Sequence, residues 1–157
     1  MKFTMESRLP CDPALMWEQV ADTGTFRLVS APLMVFRSRD HGGLPRQWVV
    51  GETYALSMWL LGCIPLGGHW ITIATIDRSA RRFSTAERGA LIKGWNHTMQ
   101  VKSDGRDGAL FRDDLVVRSG IMTPLIFAGA YLFFLYRHWR MGKLIRDGRL
   151  FVEDERS

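Results

Sequence analysis

The sequence is poor in cysteine, and this limits the kinds of site that it can form. The 157 residues include only Cys11 and Cys63, which do not have the spacing of metal ligands. A disulfide framework in a small secreted protein needs more cysteines than two. The first ten residues also lack the apolar core of a signal peptide. We therefore expect two free thiols, no metal site and a cytoplasmic location.

The sequence signatures of common enzyme classes are also missing. The chain contains no glycine-rich phosphate loop and no HExxH, GxSxG or CxxC motif, and we expect no cofactor. The formal net charge of +5 is a mild bias. The basic residues near the C-terminus do not have the aromatic and basic pattern of a nucleic-acid module. Nucleic acid is therefore not an expected partner.

Charged residues are absent from one apolar stretch, residues 119–136. Its length is near the lower limit for a membrane-spanning helix, about 17–25 residues. Gly129 interrupts it, and Thr123-Pro124 is typical of the start of a helix in a water-soluble protein. We expect this helix to pack on the protein and not to form an integral membrane span. Because basic residues follow the stretch, a membrane-associated interaction protein is an alternative.

The composition is that of one ordinary globular domain. Hydrophobic residues make up 46% of the chain and charged residues 24%. The length suits a single hydrophobic core, and the sequence contains no internal repeat or linker. We expect one domain over residues 1–157, with a disordered tail at residues 153–157.

Local patterns predict one strand, two short helices and then a series of strands. Residues 2–9 alternate between apolar and polar side chains, as in a half-buried strand. Helix starts are expected at Asp12-Pro13 and at Asp22 or Thr23. Short turns, one of them predicted at Gly67-Gly68, then separate the remaining strands, which indicates an antiparallel sheet. These later strand candidates are residues 34–37, 48–61, 70–77, 82–88, 94–102 and 109–118.

A long helix is predicted from about Pro124 to Arg146, apolar all round in its first half and amphipathic in its second. The expected fold is α+β of the helix-grip type, in which a curved antiparallel sheet wraps around this C-terminal helix. A second subunit could cover apolar residues that face away from the sheet, which leaves a homodimer open. We expect Ile126, Ala130 and Phe133 to face away from the sheet, and Arg137, Arg140 and Lys143 to face water.

Three polar residues lie on strand faces that are otherwise apolar. His97 shares its face with Trp95 and Met99, and Asp113 and Glu87 have similar surroundings on the strands beside it. If these strands are neighbours, the three groups converge inside the sheet. A carboxylate beside a buried imidazole can orient it as a general acid or base. The two groups can equally satisfy each other in the core without catalysis, so both interpretations remain open.

Several short motifs in the second half of the chain are similar to a known superfamily. They are the sequence FSTAERG at residues 83–89, WNH at 95–97, Asp113, and FLYRH at 134–138. With the order of elements, they resemble the START-like or SRPBCC superfamily, in particular its polyketide cyclase/dehydrase-like branch. The resemblance implies a hydrophobic cavity between sheet and helix, with lipidic, aromatic or polyketide-like ligands. It does not decide catalysis, because the superfamily includes both carriers and cyclases.

The leading hypothesis is therefore a protein that binds an apolar small molecule in such a cavity. Whether it is also an enzyme is left open by the sequence. The alternative is a cyclase or dehydratase in which His97 is the base and Asp113 orients it. The residues expected to bind the ligand are Glu87, Trp95, His97, Met99, Phe111, Asp113, Phe134 and His138.

Overall fold

A computed structural model describes residues 1–151 of the chain; the tail expected at residues 153–157 lies outside the described residues. The first strand, β1, is followed by two short helices, α1 and α2, then by strands β2 to β7, a 3-10 turn at Gly120–Met122 and the long helix α3. The strands are β1 Lys2–Leu9, β2 Met34–Ser38, β3 Thr53–Leu60, β4 Ile64–Asp77, β5 Arg82–Gly89, β6 Gly94–Ser103 and β7 Ala109–Arg118. The helices are α1 Pro13–Ala21, α2 Thr23–Ser30 and α3 Thr123–Arg146.

Within residues 1–151, the seven strands form one antiparallel, curved sheet in the order β1-β7-β6-β5-β4-β3-β2. The expected helix-grip fold is therefore confirmed. Strand β1 pairs with β7, so that Met5 lies opposite Asp113 and the first and last strands of the chain are adjacent. The register shifts in β3 at Met58 and in β4 near Ile73. Such bulges increase the local twist of a sheet, which helps it to curve.

The two short helices begin at the residues that the sequence indicated. Asp12 accepts hydrogen bonds from the backbone N–H groups of Ala14 at 2.8 Å and Leu15 at 3.1 Å. Asp22 accepts one from the N–H of Thr25 at 2.9 Å, so Asp22 is the cap of α2. These side chains satisfy backbone donors that a helix start otherwise leaves free.

Helix α3 has a different orientation from the one expected. Ala130 is buried and Phe133 is half-buried, and both line a cavity against the sheet; they do not face away from it. Arg137, expected in water, is only 6% exposed. For Ala130 and Phe133 the prediction was wrong because they lie in the first half of α3, which is apolar all round. Hydrophobicity alone therefore does not indicate which side packs inward.

The side of α3 that faces solvent is also apolar. We call this side the outer face of α3. It consists of Leu125, Ala128, Leu132, Leu135 and Trp139. Leu125 is 67% exposed, Leu132 64% and Trp139 56%. Within residues 1–151, the stretch Gly120–Arg146 is long and apolar enough to cross a membrane by length and composition, yet only 17% of its most apolar 18-residue window is buried.

Candidate functional site

A cavity of about 200 Å³ lies between the sheet, α2 and α3. Most of its wall is apolar, with side chains from α2, β2, β3, β6 and α3. A loop after β5 adds Leu91 and Ile92, and Gly67 in β4 lets this loop approach closely. The φ angle of Gly67 is +96°, and a Cβ there would lie 2.8 Å from the Cβ of Ala90. This combination of a mostly apolar wall and a few polar groups is typical of small-molecule sites.

The polar side chains of the wall are His69, Glu87, His97 and Arg137. A smaller cavity of about 40 Å³ has Glu87, His97 and Arg137 in its wall as well, and it also contacts Met99. These three polar residues, together with Phe26, line both cavities and lie between them. A ligand in the larger cavity would have its apolar part against the hydrophobic wall and its polar part against these groups.

His97 belongs to a chain of hydrogen bonds behind the cavity. Its Nε2 donates to Asp113 Oδ1 at 2.7 Å, and Nε2 of His138 donates to Asp113 Oδ2 at 2.9 Å. On the other side of His138, Nδ1 lies 2.7 Å from the hydroxyl of Ser7. The chain therefore links β6, β7, α3 and β1.

The ionisation of Asp113 determines the direction of these bonds. Burial raises the pKa of Asp113, but the charge of Arg137 and the bonds from His97 and His138 outweigh burial, so the pKa lies well below its usual range. A carboxylate only accepts hydrogen bonds, so both imidazole Nε2 atoms must carry hydrogen. In the uncharged form of His97, Nδ1 is then a hydrogen-bond acceptor, and an imidazole held in this tautomer can act as a general base.

Glu87 is in a second buried pair that the sequence did not indicate. Its Oε2 accepts a 2.7 Å hydrogen bond from His69 Nε2, and its Oε1 accepts one of 2.6 Å from the hydroxyl of Thr85. Burial alone would raise the pKa of Glu87. The hydrogen bond and charge of His69, with the charge of the nearby His97, lower it by more than burial raises it, so the net shift of the pKa is downward. Glu87 and His97 line the same cavities, but the hydrogen-bond partners of Glu87 are His69 and Thr85 rather than the His97–Asp113 pair.

Arg137 lies in the wall beside these two pairs. Its guanidinium donates a hydrogen bond to the sulfur of Met99 at 3.1 Å and lies 5.3 Å from the ring centroid of Phe134 and 5.9 Å from that of Phe111. Its buried Nε has no hydrogen-bond partner among the described residues. A cation over aromatic faces is stabilised by their quadrupoles, but only in part when it is removed from water.

The structure brings together some of the expected site residues and separates others. The expected hydrogen bond between His97 and Asp113 is confirmed. Asp113 itself, with Phe111 and His138, lines neither cavity and lies behind the wall. In the larger cavity the wall includes Glu87, Trp95, His97 and Phe134, and the smaller cavity adds Met99.

Sequence reasoning missed His69 and Arg137. His69 lies outside the predicted strand 70–77, because the sequence Gly67-Gly68 is typical of a turn. In the structure β4 begins at Ile64 and continues through both glycines. The available signal was the alternation of His69 with Ile71 and Ile73, all of which are buried. Arg137 had no local signal, since a basic residue in a helix is usually in water.

Residues 1–151 contain no group of three or more histidine, cysteine, aspartate or glutamate side chains arranged to hold a metal ion. Within the same residues, the two cysteines are unpaired, as expected; Cys11 is half-buried and Cys63 is exposed. In the cavity wall His69 and Glu87 instead bond to each other, and His97 bonds to Asp113 behind the wall.

Residues 7–145 match the family model described as "Domain of unknown function (DUF8410)". The chain belongs to this family. No curated protein matches it significantly. Among solved structures, the chain is similar to protein CV1439 from Chromobacterium violaceum, with a TM-score of 0.71 and 12% identity over 92% of this chain and 96% of the other.

Two further structures have the same arrangement. A START superfamily protein from Mycobacterium smegmatis matches with a TM-score of 0.61 and 11% identity, over 93% of this chain and 97% of the other. Ara h 8.0201 matches with a TM-score of 0.57 and 12% identity, over 90% of this chain and 97% of the other. At these identities the likeness shows the fold alone, and the fold is START-like.

Proposed function

We propose that the protein binds an apolar small molecule in the 200 Å³ cavity between the sheet and α3. The observation that supports this most strongly is the cavity itself, a partly open space with a mostly apolar wall and a few polar groups, which is the usual form of a small-molecule site. An engineered apolar cavity of about 150 Å³ binds benzene. The ligand is therefore of the size of a compact aromatic, polyketide-like or short acyl compound.

Two variants, each with one alanine of α3 replaced by phenylalanine, test this proposal. Ala130 is buried in the cavity wall, and Ala128 is exposed two residues away on the same helix. Ala130→Phe should fill the cavity and abolish binding of a neutral fluorescent apolar dye, whereas Ala128→Phe should bind like the wild type. Native mass spectrometry of freshly purified wild type should also reveal a bound small molecule. Equal dye binding by the two variants would contradict the proposal.

A cyclase or dehydratase activity is the second candidate. The hydrogen bond of 2.7 Å between His97 and Asp113 favours it, because the carboxylate would orient the imidazole as a base for enolisation. The co-purified ligand, incubated with protein in heavy water, should then exchange hydrogen next to a carbonyl group. His97→Gln should bind the ligand but lose this exchange. Exchange that is equal in wild type and variant, or absent from both, would reject the candidate.

Membrane association through the outer face of α3 is the third candidate. This face is apolar and exposed, and residues 119–146 contain no aspartate or glutamate. Lys93 and Arg118 are exposed near the start of the helix, and Lys143 and Arg146 are exposed near its end. Apolar area between cations is the pattern of a helix that lies in the surface of an anionic bilayer. The cavity wall includes Ile126 and Gly129 of the same helix.

Vesicle flotation tests this candidate. Wild type should float with vesicles of phosphatidylcholine and phosphatidylglycerol, and less with phosphatidylcholine alone. Leu125→Ser/Leu132→Ser should reduce binding about tenfold or more, since each buried leucine contributes about 1.5–3 kcal/mol. The control is Leu15→Ser/Leu61→Ser, which changes two exposed leucines elsewhere. A dimer in solution that the first variant dissociates, without vesicle binding, would reject membrane association.

A further inference from the structure

Arg137 is a buried cation whose hydrogen-bond donors are mostly unused. No carboxylate in residues 1–151 lies within 4.0 Å of its guanidinium nitrogens. Among the described residues its one hydrogen bond goes to the thioether of Met99, which is a weak acceptor, although a guanidinium has five N–H donors. Burying a charge without a hydrogen-bonded partner is costly. The guanidinium of Arg137 therefore lacks acceptors for most of its N–H groups.

The two buried carboxylates nearby do not complete it. Both oxygens of Asp113 accept from His97 and His138, and both oxygens of Glu87 accept from His69 and Thr85. The charges of Arg137 and Asp113 attract each other through space, which balances charge in the interior. That attraction supplies no acceptor to the free N–H groups of the guanidinium.

A second group in the same wall is also a hydrogen-bond donor without a partner among the described residues. The indole Nε1 of Trp95 is buried and has no hydrogen-bond partner among the described residues. Arginine and tryptophan side chains only donate hydrogen bonds. A ligand that pairs with these two groups must therefore present acceptors, and the positive charge of Arg137 favours an anion over a neutral carbonyl or hydroxyl.

We propose that the ligand is an amphipathic carboxylate, with its anionic head on the Arg137 guanidinium and its apolar body along the inner side of α3, against Ala130 and Phe133. This inference rests on the proposed function, because it names the chemistry of a ligand for the same cavity. A guanidinium matches a carboxylate with two parallel N–H···O bonds, a stronger arrangement than a hydroxyl allows. The apolar wall holds the chain of the ligand.

Octanoate and octanol test the inference on the wild-type protein, because they have the same chain and differ in head group. Titration calorimetry near pH 7 should give an affinity for octanoate at least tenfold higher than for octanol. If both bind with equal affinity, the cavity binds apolar molecules, but the inference that the ligand has an anionic head group is wrong. If neither binds, the cavity holds water only, and the proposed function fails together with this inference.

Variants locate the preference at one side chain. Arg137→Met should remove the preference for octanoate and keep the affinity for octanol, and Arg137→Lys should keep part of the preference. The control is Arg146→Met, which removes an exposed cation from the same helix. Circular dichroism checks that each variant is folded, and the wild-type comparison stands if Arg137→Met does not fold. An unchanged preference in folded Arg137→Met would overturn the assignment to Arg137.

Discussion

The carboxylate of Asp113 joins strand β7 to helix α3, because its Oδ2 accepts a 2.9 Å hydrogen bond from Nε2 of His138. Its other oxygen accepts from His97 on β6, so one buried group connects three elements at the centre of the domain. His97 is in the cavity wall, whereas Asp113 and His138 are behind it. The orientation of His97, which faces the cavity, therefore depends on hydrogen bonds to residues that do not line the cavity.

We expect Asp113→Asn to be strongly destabilising. An amide can accept only through its oxygen, and its NH₂ group would oppose an imidazole N–H. A hydrogen bond to a charged group contributes about 1.5–3 kcal/mol, so the free energy of unfolding should fall by at least this amount. Urea denaturation measures it. The control is Asp114→Asn on the opposite face of the strand, in a surface pair with Arg112, which should cost about 1 kcal/mol or less. Equal losses would contradict this prediction.

Acid should destabilise the protein through the same carboxylates. The pKa values of Asp113 and Glu87 are lower in the folded state than their ordinary values of 3.8 and 4.5. The folded state therefore binds these protons less readily than the unfolded state. Their stabilisation is complete above the ordinary pKa values and is lost as the pH falls below them. The urea concentration at the midpoint of unfolding should fall as the pH is lowered from about 6 to 3. In a folded Asp113→Asn/Glu87→Gln variant, the midpoint should depend less steeply on pH.

Neighbouring residues of α3 test the orientation of the helix. Phe134 is 1% exposed and packs on Trp95 and His97, whereas Leu132 belongs to the outer face of α3. Phe134→Ala should cost about 3–5 kcal/mol through lost packing. Leu132→Ala should stay within about 0.5 kcal/mol, as for other surface substitutions. Thermal and urea unfolding measure both, and a larger cost at Leu132 would mean that the helix is rotated.

The two thiols should differ in reactivity. Burial, and then the charge of Asp12, raises the pKa of Cys11 to about 11, whereas Cys63 is exposed. Because the thiolate is the reactive form, iodoacetamide at mildly alkaline pH should modify Cys63 first and Cys11 only on unfolding. Intact mass spectrometry follows both modifications. A native mass ~2 Da below the reduced value would instead indicate a disulfide, contrary to this prediction.

Part of the fold could be predicted from the sequence because it depends on neighbouring residues. The alternation in residues 2–9 matches β1, and Asp12 and Asp22 cap α1 and α2. A cap or an alternation needs only a few residues and the local geometry of the backbone. The pairing of His97 with Asp113 was also predictable, since β6 and β7 follow one another across a short turn.

Other parts of the site depend on how distant elements meet. The side of α3 that packs inward, the contact of His69 with Glu87 and the burial of Arg137 were decided by the tertiary structure. Periodicity does not distinguish the sides of a helix that is apolar all round. The start of β4 was not predicted because Gly67-Gly68 is typical of a turn. Local patterns in the sequence were enough to predict the order of the helices and strands. The cavity could not be predicted from them, because a cavity is the space that remains when the sheet and α3 pack at a particular rotation and distance.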